Sequence, residues 1–206
     1  MTFHIITLFP EAIENYLHAS ILGRAEKKKI IKFHLVNLRK FGLGKHKKVD
    51  DRPFGGGPGM VVRIEPVKKA IASVRKPQAR VILFSTRGKK FMQKDAKRLA
   101  KYRDLVFICG RYEGVDERVA KHLADEEISL GDFVLAGGEL PALMVTEAVS
   151  RQLPGVLGKY ESLEDIKGSY PVYTRPEKFG KWKVPEILLE GNHKKIEEWR
   201  EKQGRG

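Results

Sequence analysis

Leu105-Val106-Phe107-Ile108-Cys109-Gly110-Arg111-Tyr112-Glu113-Gly114 decides the fold. Its first four residues carry no polar side chain, as expected of a strand buried on both faces. A guanidinium, a phenol and a carboxylate then follow between two glycines, just where such a strand would leave its sheet. Upstream, residues 80–84 repeat the pattern, an apolar strand ending in Ser85-Thr86-Arg87-Gly88. Downstream, residues 128–135 read as a strand region broken by Gly131. Residues 3–8 and 32–38 supply two more strands, the first stopped by Pro10. Helical spacing separates them. It covers residues 11–22 through Ile13, Leu17 and Ile21, with Gly23 as the closing residue, and then residues 66–75, 93–102 and 115–123. Residues 139–153 form the most apolar helix, with Pro141 in its first turn, where a missing N–H costs little. This alternation predicts an α/β fold, a parallel sheet with helices on both faces. Ligands of such sheets sit beyond the carboxyl ends of the strands.

The balance of charge points to a partner. The chain of 206 residues has 40 Lys+Arg against 26 Asp+Glu, a formal charge of +14. Such an excess favours a polyanion through counterion release, and the lysines are spread along the chain instead of gathered in a tail. A hydrophobic fraction of 41% supplies a core. The single Cys109 excludes a disulfide framework and a Cys-rich zinc site. No apolar run approaches the roughly 18 residues of a membrane span, and the N-terminus lacks the basic and apolar regions of a secretory signal. The expectation is a cytoplasmic protein with no membrane partner.

Common catalytic signatures are missing. The sequence contains no G-x-x-x-x-G-K-[ST], no G-x-G-x-x-G, no H-E-x-x-H and no G-x-S-x-G. Its six histidines show no ligand spacing. Gly56-Gly57-Pro58-Gly59 matches the G-x-x-G loop of KH domains, but that loop joins two helices, and residues 41–60 read as one long irregular loop.

Four stretches carry chemistry. Lys45 to Met60 sets basic residues beside glycines whose backbone can approach a ligand closely, in a loop long enough to suggest function. Gly110 to Gly114 is the second. Ser129 to Pro141 is the third; its broken strand and Gly137-Gly138 turn leave backbone N–H and C=O groups free, able to hold an adenine and a ribose without a phosphate site. The fourth is Ser162-Leu163-Glu164-Asp165-Ile166-Lys167-Gly168 with the aromatic, basic segment Tyr170-Pro171-Val172-Tyr173-Thr174-Arg175-Pro176. Residues 1–160 read as the main domain, 161–175 as a flexible linker and 176–206 as a short helical extension, with residues 192–203 as its amphipathic helix.

These strings closely resemble the bacterial tRNA (guanine-N1)-methyltransferases, S-adenosylmethionine-dependent enzymes of the SPOUT class that act on guanosine-37 beside the anticodon. The resemblance runs nearly end to end. It includes Leu8-Phe9-Pro10-Glu11, Val49-Asp50-Asp51-Arg52-Pro53 with the glycine-rich loop, Gly110 to Gly114, Gly131-Asp132, Gly137-Gly138-Glu139-Leu140-Pro141, Tyr173 to Pro176 and Gly191-Asn192-His193. It implies a trefoil knot in the C-terminal part of the main domain and a homodimer with shared active sites. It places S-adenosylmethionine on Leu83, Phe84, Ser85, Thr86, Gly110, Glu113, Leu130, Gly131, Phe133, Leu135, Gly137, Gly138 and Pro141. Asp50 and Gly59 are expected near the RNA target, and Glu113 near the methionine amine or a metal. Mg2+ dependence is also implied, although spacing gives no metal site. Two departures stand out. Ser85-Thr86-Arg87-Gly88 replaces the family's Ser-Pro-x-Gly, which loosens that turn. The extension is shorter than the family's helical tRNA-gripping domain, and so is expected to be a truncated form of it.

The resemblance implies roles for two further residues, Asp165 and Arg151, and the chemistry says why each is needed. The sulfonium methyl is already activated, whereas guanine N1 carries a proton, so the enzyme must supply a base and stabilise charge on O6. By the resemblance Asp165 is the base, provided its surroundings lift its pKa from about 3.9. Arg151 would face the guanine oxygen; otherwise it is a cation complementing a helix dipole. Two other functions compete with methyl transfer to guanosine-37. One is a non-catalytic RNA-binding protein. The other is a knotted methyltransferase with a different RNA target.

Overall fold

An unbroken apolar run can be a strand only where both of its faces are covered, and the central strands here are covered on both. The computed structural model describes residues 1–158 and 170–204, which divide between two compact units, Met1–Val156 and Leu157–Gly206. In chain order the first unit runs β1 (Thr2–Thr7), α1 (Glu11–Leu17), α2 (Ser20–Lys27), β2 (Lys32–Asn37), β3 (Asp50–Asp51), β4 (Val61–Val62), α3 (Ile64–Val74), β5 (Arg80–Lys90), α4 (Gln93–Leu99), β6 (Asp104–Ile108), α5 (Glu117–His122), β7 (Glu126–Ser129) and α6 (Glu139–Ser150).

Five of these strands form one parallel sheet in the order β2-β1-β6-β5-β7. Alternation sorts their side chains to the two faces. Phe3, Ile5, Ile82, Phe84, Leu105 and Phe107 pack against α1, α2, α4 and α6 through residues such as Leu17, Leu22, Leu99 and Val145. Ile6, Val81, Leu83, Val106 and Ile108 pack against α3 and α5 through Val67, Ile71 and Val119. The helix-covered parallel sheet predicted from the sequence is therefore present. The chain leaves β5 in one direction to form β6, then leaves β6 in the other and passes over β5 to form β7. Such a reversal opens a crevice at the carboxyl ends of the strands.

Several expected boundaries move. The single helix over residues 11–22 is two helices broken at His18 and Ala19. Gly23 lies inside α2 and does not close a helix. A Cβ there would overlap the His18 carbonyl, so the glycine lets the chain double back sharply. Residues 85–88 do not end their strand either. β5 continues to Lys90, and its register with β7 shifts between Phe84 and Lys89. Gly88 makes that bulge possible, since a Cβ would sit 2.6 Å from the Ile128 backbone. The strand expected over residues 128–135 stops at Ser129. The loop over residues 41–60 is partly ordered: a 3-10 turn at Leu38–Phe41 precedes it, and β3 pairs antiparallel with β4.

The second unit holds a small antiparallel hairpin, β8 (Lys178–Phe179) with β9 (Trp182–Lys183), a 3-10 turn at Glu186–Leu188 and α7 (His193–Gln203). Asn192 caps α7 by accepting the Lys195 N–H at 3.2 Å. Within this unit the Arg200 guanidinium lies 5.0 Å from the Tyr170 ring centre, and Trp199 packs beside Tyr173. Among the described residues, no helix is long and apolar enough to cross a membrane.

Gly23→Ala should destabilise the first unit by about 1–3 kcal/mol, because the added methyl meets backbone and not a movable side chain. Urea unfolding followed by circular dichroism would measure the loss, and an unchanged midpoint would refute the close approach.

Candidate active site

The bulged stretch of β5 and the crossings at the carboxyl ends of β6 and β7 line a cavity of about 530 Å3. One wall is residues 83–87, the second residues 110–115, and the third residues 128–130, 133–138 and 141. The volume lies within the range of small-molecule sites.

The second and third crossings are locked together by an ion pair between a buried carboxylate and a partly buried guanidinium. Glu139 opens α6 and is only 3% exposed. Its carboxylate accepts from Arg111 Nε at 2.9 Å and from the Thr7 hydroxyl at 2.6 Å. Thr7 Oγ1 in turn accepts the Phe9 N–H at 2.9 Å, and the Phe9 ring lies under the Arg111 guanidinium, 4.6 Å from its centre. A carboxylate in the first turn of a helix also gains from the helix dipole. The main chains meet directly: the Gly138 N–H donates to the Gly110 carbonyl at 3.0 Å, and Arg111 bridges Gly137. Side chains are excluded from this contact. A Cβ on Gly138 would lie 2.6 Å from Cys109 Cα, and one on Gly137 would strike Arg111 and Glu139. Cys109 is buried beneath the turn, and burial, with Glu139 nearby, pushes its thiol well up, so it packs as an inert apolar group.

The glycine-rich loop joins the second crossing. The Glu113 N–H donates to the Met60 carbonyl at 3.0 Å, and the Val62 N–H to the Gly114 carbonyl at 2.9 Å. Gly59 has a positive φ of 76°, and a Cβ on it would sit 2.5 Å from Glu113 Oε1. Asp50 stands beside Tyr112, whose phenol is pushed up by burial and then by that carboxylate. Asp50 and Gly59 thus stand next to residues 112 and 113 of the cavity wall.

Of the residues expected to hold the cofactor, all line the cavity except Gly131, which lies in the same crossing with Phe133 against it. Arg151 is elsewhere: it is the C-terminal cap of α6, its N–H donating to the Glu147 carbonyl at 3.1 Å, and it is not part of the cavity lining. Asp165 lies outside the described residues. The sequence reading gave no role to Thr7, Arg111 or Glu139. A signal existed: a glutamate opening the most apolar helix, and an arginine directly after a buried strand, each need a partner.

Charge restricts what the cavity can take. Its cationic lining residues are Arg87 and Arg111, and both are already paired, Arg87 with Glu117 and Arg111 with Glu139. No free cation faces a phosphate there among the described residues. Backbone amides and carbonyls, the Ser85 hydroxyl and the Glu113 carboxylate remain to orient a ligand between apolar walls at Leu83, Phe84, Leu130 and Phe133. This suits a neutral or cationic ligand with an aromatic part.

The family model for tRNA (Guanine-1)-methyltransferase TrmD matches residues 1–206. A curated tRNA (guanine-N(1)-)-methyltransferase of Bacillus subtilis is 50% identical over 211 residues, covering 98% of this chain and 87% of the relative. That of Carboxydothermus hydrogenoformans is 48% identical over 208 residues, covering 98% and 82%. That of Clostridioides difficile is 48% identical over 209 residues, covering 97% and 90%. A glycine-walled cavity at the open end of a helix-covered parallel sheet agrees with this class of enzyme, and the chain belongs to the tRNA (guanine-1)-methyltransferase family.

Arg111→Met should cost about 3–5 kcal/mol, since it leaves the Glu139 carboxylate buried without its cation. Pairing it with Glu139→Gln in a double-mutant cycle, read by chemical unfolding, should recover much of that loss. Strict additivity of the two substitutions would show that they do not act together.

Proposed function

We propose that the protein transfers a methyl group from S-adenosylmethionine to N1 of guanosine-37 in tRNA, next to the anticodon, and so helps maintain the reading frame. The cavity carries this reading: it has the size of a cofactor site, glycine-lined crossings and no unpaired cation among its lining residues. A phosphate-bearing cofactor would want free cations, whereas S-adenosylmethionine brings an adenine, a ribose and a positively charged sulfonium. When bound it supplies an already activated methyl. The family membership and the formal charge of +14 argue for the RNA substrate.

The chain's own residues then have three tasks. The backbone of residues 110, 137 and 138 and the side chains of Leu83, Phe84, Leu130, Phe133, Leu135 and Pro141 hold the donor, with Ser85 and Thr86 at its edge. Glu113 faces its ammonium group. Asp165 takes the N1 proton from a guanine displaced from its stack, and Arg151 faces O6. Asp50 and Gly59 stand at the RNA side. Mg2+ belongs to the same reading: it would make N1 more acidic through O6, and Glu113 of the cavity wall is the residue that would help hold it.

The same reading includes the trefoil knot, the cytoplasmic setting, the division into a catalytic domain, a linker and a helical tRNA-binding extension, and a homodimer. The last has support in apolar side chains that a solitary chain would leave in water: Val134 is 85% exposed, and Leu140 and Met144, one turn apart on α6, are 57% and 56% exposed.

Incubating the protein with labelled S-adenosylmethionine and tRNA transcripts, then mapping the product, should give N1-methylated guanosine at position 37. Label at any other nucleotide would refute the target. Asp165→Asn should lose about 10²–10⁴-fold in turnover while its calorimetric affinity for S-adenosylmethionine stays unchanged; full activity at neutral pH would remove Asp165 from the mechanism. Met144→Lys should shift sedimentation toward a single chain, and a wild-type protein that already sediments as one would end the homodimer proposal.

A further inference from the structure

The hairpin of the second unit has two unlike faces. Lys178 pairs with Lys183 and Phe179 with Trp182, so each like pair shares one face. The aromatic rings are stacked, with centroids 6.0 Å apart and planes 24° from parallel. Phe179 is 67% and Trp182 66% exposed. Gly180 turns the chain with a positive φ of 60°, and Lys181 beside it is exposed like the other two lysines. Strands of two residues are far too short to stand on their own pairing. A protein that kept these rings only for stability would bury them.

We infer that this hairpin is a contact for RNA, its Phe179–Trp182 pair a platform on which unpaired bases stack and its lysines 178, 181 and 183 a seat for the phosphates on either side. The inference rests on the reading that the substrate is RNA. Three cations in six residues with no acid among them favour a polyanion over an apolar protein surface. Exposed aromatic rings beside cations are what single-stranded nucleic acid meets, because every base offers a π-face and every linkage a charge. Such a platform tolerates any sequence. It would therefore hold an RNA loop without selecting it, leaving selection of the target base to the other unit.

Trp182 and Trp199 are the only tryptophans, so full-length Trp199→Phe leaves Trp182 as the single indole. Titrating that variant with tRNA should quench its fluorescence, whereas heparin, a polyanion without bases, should not. Phe179→Ala and Trp182→Ala should each weaken tRNA binding by about 5-fold or more. Replacing Lys178, Lys181 and Lys183 together by Gln should lower the slope of log affinity against log salt by about 2–3. Emission that stays constant while labelled tRNA binds to saturation would overturn the proposal. So would emission that changes with protein concentration alone, since the aromatic face would then belong to a second copy of the chain. Quenching by tRNA in a protein that transfers no methyl would sink the proposed activity and leave the hairpin standing; normal methylation with unquenched Trp182 would do the opposite.

Discussion

The site depends on one buried carboxylate. Glu139 sits at the start of an apolar helix where solvation is denied to it, and its charge is tolerable only because Arg111 and Thr7 reach it from two other strand ends. That requirement does more than satisfy Glu139. It draws the ends of β1 and β6 and the start of α6 to a single point, and so fixes the mouth of the sheet on one side. A buried pair of this kind contributes little net stability, since desolvation offsets much of the attraction. What it gives is position.

The glycines follow from that constraint. With Arg111 held on Glu139, the turn before α6 leaves no room for a Cβ on residue 137, which would meet that pair, or on residue 138, which passes close to Cys109 and Gly110. The resulting wall is bare backbone. Bare backbone suits a ligand recognised by edges and hydrogen bonds more than by charge, and the pairing of Arg87 and Arg111 strengthens that bias by using up both cations in the lining. The glycine-rich loop over residues 55–59 differs in kind. Gly55, Gly56 and Gly57 have positive φ but open space around the missing Cβ, so they serve a backbone path and not a close contact, whereas Gly59 lies against Glu113.

Much of the fold was legible because its strands are short apolar runs whose two faces must both be buried, and that pattern survives in a single sequence. The boundaries were less so. Nothing local to residues 85–88 says that a strand passes through them, because the bulge exists only in register with β7. Gly23 reads as a helix stop from its neighbours alone; its real duty, clearing the His18 carbonyl, appears only once the chain has turned back. The cavity lining could be anticipated from strings resembling a family, but the ion pair beneath it spans 28 residues, and its third member, Thr7, lies 132 residues from Glu139. Sequence distance hides such partners, although an isolated charge in apolar surroundings announces that one must exist.

The two units divide their electrostatics. In the first, both arginines at the cavity are spent on carboxylates, Arg87 on exposed Glu117 and Arg111 on buried Glu139, so the chemistry there answers to shape and hydrogen bonding, and the Arg111–Glu139 pair is little screened by salt, as expected of partly buried charge. In the second, hairpin lysines stand in solvent beside exposed rings. Attraction between those lysines and a polyanion comes from released counterions and so falls steeply with ionic strength. A protein built this way can tune its grip on a large charged partner without disturbing the pocket where a small ligand is oriented. The requirements are opposed: a free cation in the cavity would invite phosphates, and a neutralised hairpin would lose its reach. Separating them along the chain lets each keep the charge state its own task demands.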